Sequence, residues 1–182
     1  MMAAMMAPSM APVGALYART VQTSRAPRLA AFGLSYLVVW AAAGIPALVL
    51  ATWLDGLTMG NARAGRLALA GALAIAGLYE LSPLKQACLS HCRSPIGLLM
   101  HYASYRGELR DFRAGSHHAL YCLGCCWALM AVLVAVGTMN LPAMAVLALV
   151  ILLEKVWSLG ALFSRAVAVA ALVLAVVVAV AP

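Results

Sequence analysis

Phe32–Leu54 reads FGLSYLVVWAAAGIPALVLATWL, carries no charge, and closes at Asp55-Gly56. A helix needs about 20 apolar residues to cover a hydrocarbon core of about 30 Å, and this run supplies them. Its residues do not alternate in polarity with period 2, as a membrane β-strand would. The rest of the chain agrees with a helix in lipid. Hydrophobic residues make up 66% of the sequence and charged ones 9%, with a mean hydropathy of +1.01. A soluble globule must cover itself with more polar surface than that.

Working outward, the expected fold is all-α, a polytopic transmembrane helical bundle with about five full spans and a partial N-terminal helix. After 32–54, spans are expected at 66–87, 119–138, 141–156 and 159–180, with 88–118 as a loop. Residues 1–16 form a Met-rich partial helix interrupted by Pro8 and Pro12. This segment lacks the basic start of a signal peptide and reads as the later half of a membrane helix. No linker, charge block or repeat divides the chain, so 1–182 is expected to be a single membrane domain.

The excess of 12 Lys+Arg over 5 Asp+Glu would point a soluble protein toward nucleic acid. Here it serves the bilayer, and no nucleic-acid partner is expected. Alternating the spans puts Arg19, Arg25, Arg28, Lys85, Arg93, Arg106, Arg110, Arg113, Lys155 and Arg165 on one side, and Arg63 and Arg66 on the other. Cytoplasmic loops carry the Lys/Arg excess. The cysteine-containing loop 88–118 is therefore expected in the cytoplasm and the C-terminus outside. Close helix approach in lipid relies on small residues, a role that Gly71, Gly77 and the Ala-rich spans fit.

All five cysteines fall in two sets, Cys88-x-x-x-Cys92 and Cys122-x-x-Cys125-Cys126. The i, i+4 and i, i+3 spacings put each set on one helical face. Cysteine also packs as a small hydrophobe, but random core filling would not gather every cysteine here. Thiolates favour Cu(I), Zn²⁺ or iron–sulfur clusters, and four thiolates alone suit structural zinc. Met1, Met2, Met5, Met6 and Met10 shift the balance toward copper, because thioethers bind Cu(I) and hardly touch Zn²⁺. Met is equally a flexible core filler. The candidate metal ligands are Cys88, Cys92, Cys122, Cys125, Cys126, His91, Met5 and Met6, with Cu(I) first and zinc second.

His91 points off the Cys88/Cys92 face, so it is adjacent to that pair or a direct ligand. His117 and His118 either ligate or sit at the interface, and His101 reads as interfacial. Glu80 is expected to pair with Lys85 or with Lys155 of a neighbouring helix, since charges inside membranes face the bundle and pair. Glu154-Lys155 is either such an interior group or an interfacial pair reaching for headgroups. No P-loop, Rossmann glycine pattern, HExxH or GxSxG is present, which speaks against ATP-driven pumping by this chain alone.

Several segments together carry a resemblance: Met5-Met6-Ala7-Pro8-Ser9, Tyr79-Glu80-Leu81-Ser82-Pro83-Leu84-Lys85, Cys88-Leu89-Ser90-His91-Cys92-Arg93-Ser94-Pro95, Tyr121-Cys122-Leu123-Gly124-Cys125-Cys126-Trp127, Met139-Asn140-Leu141 and Glu154-Lys155. In these, and over nearly its whole length, the chain resembles a bacterial family of predicted metal-binding integral membrane proteins. Some of its members are regarded as copper-binding or copper-chaperone proteins serving tyrosinase-like copper oxidases. The resemblance implies a metal role for the cysteines, a bacterial inner-membrane location and a copper-dependent oxidase as acceptor. In one respect the chain departs from it: members usually begin upstream, so that the Met-Met segment lies within a complete helix.

Three functions remain in view. The first is a non-enzymatic soft-metal chaperone that holds copper on thiolates. The second is a membrane thiol–disulfide oxidoreductase using the two cysteine sets as dithiols, against which a reducing cytoplasm counts. The third is a metal transporter with Glu80 and the cysteines along its path.

Overall fold

The computed structural model describes residues 2–20, 25–94, 97, 100, 102, 105, 107, 109–137 and 140–181. His101 and Met139 lie outside the described residues. Among the described residues, helices account for all regular structure: α1 (Met2–Thr20), α2 (Arg25–Thr58), α3 (Ala62–Glu80), α4 (Pro83–Arg93), α5 (Arg110–Val136), α6 (Leu141–Val156) and α7 (Gly160–Val180).

The expected span 66–87 is divided. Ser82 caps a new helix by accepting a hydrogen bond from the Lys85 amide, and Pro83 sits in its first turn. Proline is welcome there because its missing N–H would be unsatisfied anyway. The result is a bend of 67° between α3 and α4. The expected loop 88–118 also shrinks from both ends. Residues 88–93 belong to α4, and α5 begins at Arg110 instead of near Ala119. Its polar first turns are held by Asp111, which takes a bidentate contact from Arg28 and a hydrogen bond from Tyr17.

Helices α2, α5 and α7 are each long and apolar enough to cross a membrane, and the bent pair α3–α4 makes a fourth if it is one span. Among the described residues, length and apolarity support three or four spans and not the expected five. Helix α6, though it matches its expected bounds, has 16 residues, too short at about 1.5 Å per residue for a core of about 30 Å. Helix α1 runs through Pro8 and Pro12 to Thr20, further than expected. Met6, Val13 and Tyr17 are buried along its inner face while Pro8 is exposed.

Helix α5 occupies the centre, with Cys122, Cys125, Cys126, Leu129 and Leu133 buried. The outer faces of α2 and α7 show Leu48, Val49 and Val176, the apolar surface that lipid would cover. Glycine lets helices approach as expected at Gly77, where a Cβ would lie 2.7 Å from Leu172 Cγ of α7. Gly71, by contrast, has open space beside it. Gly115 plays the same part between α5 and α2, where a Cβ would collide with the Phe32 carbonyl and the Ser35 hydroxyl. Arg66 donates to the Ala181 carbonyl, joining the start of α3 to the end of α7.

Candidate metal centre

The centre is built where α4 crosses α5. Capping at Ser82 turns α4 so that Cys88 and Cys92 face α5 rather than extending away from α3. Cys92 Sγ lies 4.0 Å from Cys125 Sγ, joining the two cysteine sets. Cys88 Sγ packs onto Gly124, only 2.9 Å from where a Cβ would stand. A Cβ at 124 would force the Cys88 side chain to shift. The Tyr79 hydroxyl donates to the Gly124 carbonyl and ties the end of α3 to the same point.

On α5 the Cys125 and Cys126 thiols both point back to the Cys122 carbonyl, at 3.1 and 2.9 Å. These local bonds fix the rotamers of adjacent thiols that would otherwise compete for the same space. Cys126 Sγ then lies 3.9 Å from Met6 Sδ of α1. Met6 is fully buried, and Met5 and Met10 pack against the same cluster. Cys122 Sγ has two polar neighbours, the Tyr36 hydroxyl of α2 at 3.3 Å and Lys155 Nζ of α6 at 3.0 Å. Helices α1, α2, α4 and α6 therefore each bring a polar or sulfur group to one turn of α5. The sulfurs sit about one to two turns inside the apolar stretch that starts at Ala119.

The sulfur contacts are pairwise. Among the described residues no three His, Cys, Asp or Glu side chains are gathered to hold one ion. The soft donors nevertheless fit copper, since thiol and thioether are what that ion prefers. His91 stacks on Tyr121 with ring centroids 4.1 Å apart and stands edge-on to His117 at 6.2 Å. That places it in an aromatic group next to the sulfurs. His118 is buried between Phe32 and Tyr36, and its Nδ1 has no hydrogen-bond partner among the described residues.

Beside the sulfurs lies a separate ionic group. Lys85 is fully buried, bonded to Glu80 and, at 2.8 Å, to Glu154. Ser164 of α7 donates to the same Glu80 oxygen. The expected Glu80–Lys85 pair is present. Of Glu154-Lys155, Glu154 is buried and Lys155 half-buried, and the two face different partners, Lys85 and Cys122. Tyr36 was not legible as part of the site, because one tyrosine in an apolar helix carries no spacing signal; only the α2–α5 packing brings it to Cys122.

No curated protein and no solved structure matches the chain. A family profile does match, over residues 1–178, and its description is PpoB2, copper chaperone. Since that match takes in nearly the whole chain, sulfur-bearing helices included, the chain belongs to the PpoB2 copper chaperone family.

Proposed function

We propose that this chain is a single-domain membrane protein that binds Cu(I) between Cys92 and Cys125 and delivers it to a copper enzyme, a copper-dependent oxidase. The observation that carries the reading is the 4.0 Å approach of these two sulfurs. An ion midway between them has two soft ligands, a coordination that Cu(I) accepts, whereas structural Zn²⁺ takes four ligands. Met6 and Cys126 form a second pair of soft donors on the next turn, with Cys122, Cys88 and Met5 around them. Copper can therefore pass between neighbouring sulfurs without entering water. His91 stands at the rim on the Cys92 side. Thiolate ligation competes with protons, so affinity falls as pH is lowered.

The test is a competition titration of reduced, purified protein against a Cu(I) chelator. The unchanged protein should bind Cu(I), and Cys92→Ser/Cys125→Ser should lose it while keeping its helical content. Unaltered affinity in that double variant rejects the site. A protein that takes no copper but cycles a Cys92–Cys125 disulfide would instead be a thiol–disulfide oxidoreductase, and copper flux in vesicles would mark a transporter. For location, the basic residues favour the bacterial inner membrane with the segment after Cys92 in the cytoplasm. Alkaline phosphatase fused after Ala181 should be active, and fused within 97–107 inactive. The opposite result reverses the orientation.

A further inference from the structure

Resting on the copper-binding reading above, we propose that His118 and Cys122 form a second, weaker Cu(I) site one turn outside the Cys92–Cys125 pair, the station through which copper enters the sulfur core. His118 stands where the polar first turns of α5 give way to the apolar stretch from Ala119. Its side chain is buried, at 3% exposure, between Phe32 and Tyr36, with ring centroids 6.3 and 6.1 Å away. Its Nδ1 is buried with no hydrogen-bond partner among the described residues. A buried polar atom left unmet is destabilising, and a phenylalanine ring would fill the same aromatic slot without one. The nitrogen kept there is open to a ligand.

Cys122 supplies the second donor. It follows His118 by one turn of α5, and side chains at i, i+4 share a helix face with Cβ atoms about 5–6 Å apart. Helical side chains lean toward the N-terminus, so the Cys122 sulfur leans over the turn that holds His118. Tyr36 ties the two together: its ring stacks on His118 and its hydroxyl meets Cys122 Sγ at 3.3 Å. Lys155 Nζ meets the same sulfur, and a thiolate has lone pairs enough for those contacts and an ion. Neutral imidazole and thiolate both suit Cu(I). Cu(I) replaces the Cys122 thiol proton, which is released, and no electron moves. Imidazole is a harder donor than thiolate, so copper is held less tightly here than between two sulfurs. It can therefore move on to Cys125, one turn further along α5 and facing Cys92.

The experiment uses the full chain, reduced and in detergent, with Cu(I) as the probe and helical content checked for each variant. In Cys92→Ser/Cys125→Ser, where the tight site is removed, X-ray absorption at copper excess should show imidazole scattering from the metal. Adding His118→Phe keeps the aromatic ring and removes both nitrogens. It should erase that signal and weaken this copper by more than the roughly 10–100-fold that loss of an outer-shell partner costs. Adding Cys122→Ser instead should also lose the imidazole-bound copper, whereas His91→Phe at the rim should leave it. An imidazole signal that survives His118→Phe or Cys122→Ser overturns the proposal, as does copper with no imidazole at all. With Cys92 and Cys125 intact, His118→Phe should leave the tight Cu(I) affinity within a few-fold. If tight and weak affinities fall together, the ring only packs and the proposal fails. If Cys92→Ser/Cys125→Ser binds copper as tightly as the unchanged chain, the reading above fails, while the His118 spectrum still decides this one.

Discussion

Lys85 and Lys155 both carry an ammonium into the interior, but they meet different chemistry there. Lys85 sits between two carboxylates and is wholly buried. Lys155 reaches Cys122 across from a tyrosine hydroxyl. In the first group the cation and its anions complete one another and bind α3, α4, α6 and α7 together. In the second the cation faces atoms whose charge depends on what they bind. The first group is a structural joint; the second stands beside sulfurs that can take a ligand.

The comparison is broken most severely by Lys85→Met. Glu80 and Glu154 would face each other without the cation they share, and each already has one carboxylate oxygen with no hydrogen-bond partner among the described residues. Removing one partner of a buried ion pair costs about 3–5 kcal/mol, so unfolding in detergent should show a loss of that size. Replacing the whole group, as Glu80→Gln/Lys85→Met/Glu154→Gln, should restore most of the stability. A single Lys85→Met variant as stable as the unchanged protein would mean that the ion triad contributes nothing.

A second comparison lies within the thiols themselves. Cys92 faces Cys125, whereas Cys88 packs on Gly124. Cys92→Ala should weaken Cu(I) binding by more than the roughly 10–100-fold that loss of an outer-shell partner costs. Cys88→Ala should fall well short of that. Equal losses, read by chelator competition, would spread the site over both turns of α4. Met6→Leu tests the neighbouring pair. It should cost less than about 1.5 kcal/mol of stability, because shape and volume are nearly kept. Its Cu(I) affinity should drop by about tenfold, one step of about 1.4 kcal/mol, while Zn²⁺ affinity holds.

How much of this could be read from residues alone varied with the kind of signal. Helix α6 falls where the apolar run between breakers put the fourth span, and Asn140 caps it with Pro142 in its first turn. The break at Ser82-Pro83 was written in the same chemistry, but the apolar run across it outweighed the cap. The early start of α5 was hidden because Arg110–His118 is polar, and its helix depends on Asp111 meeting Arg28 and Tyr17 from other helices. At the site, spacing put each cysteine set on one face and the sequence named Met6. Which sulfurs of the two sets meet, Cys92 with Cys125, and the Tyr36 and Lys155 contacts are tertiary. No periodicity along one helix reports where a second helix will cross it.

The smallest expected effect concerns the neutral neighbour of Cys122 rather than the charged one. Tyr36 lies 3.3 Å from the sulfur on the side of α2, while Lys155 lies 3.0 Å away on the side of α6. Tyr36→Phe removes one hydrogen bond and little volume, a change of about 0.5–1.5 kcal/mol. Since a hydroxyl brings no net charge, Cu(I) and Zn²⁺ affinities should both shift by a few-fold in the same direction, leaving their ratio where it was. If Tyr36→Phe moves the ratio instead, in the same chelator competition, the hydroxyl takes part in choosing the ion, and a neutral contact beside Cys122 does more than steady the sulfur.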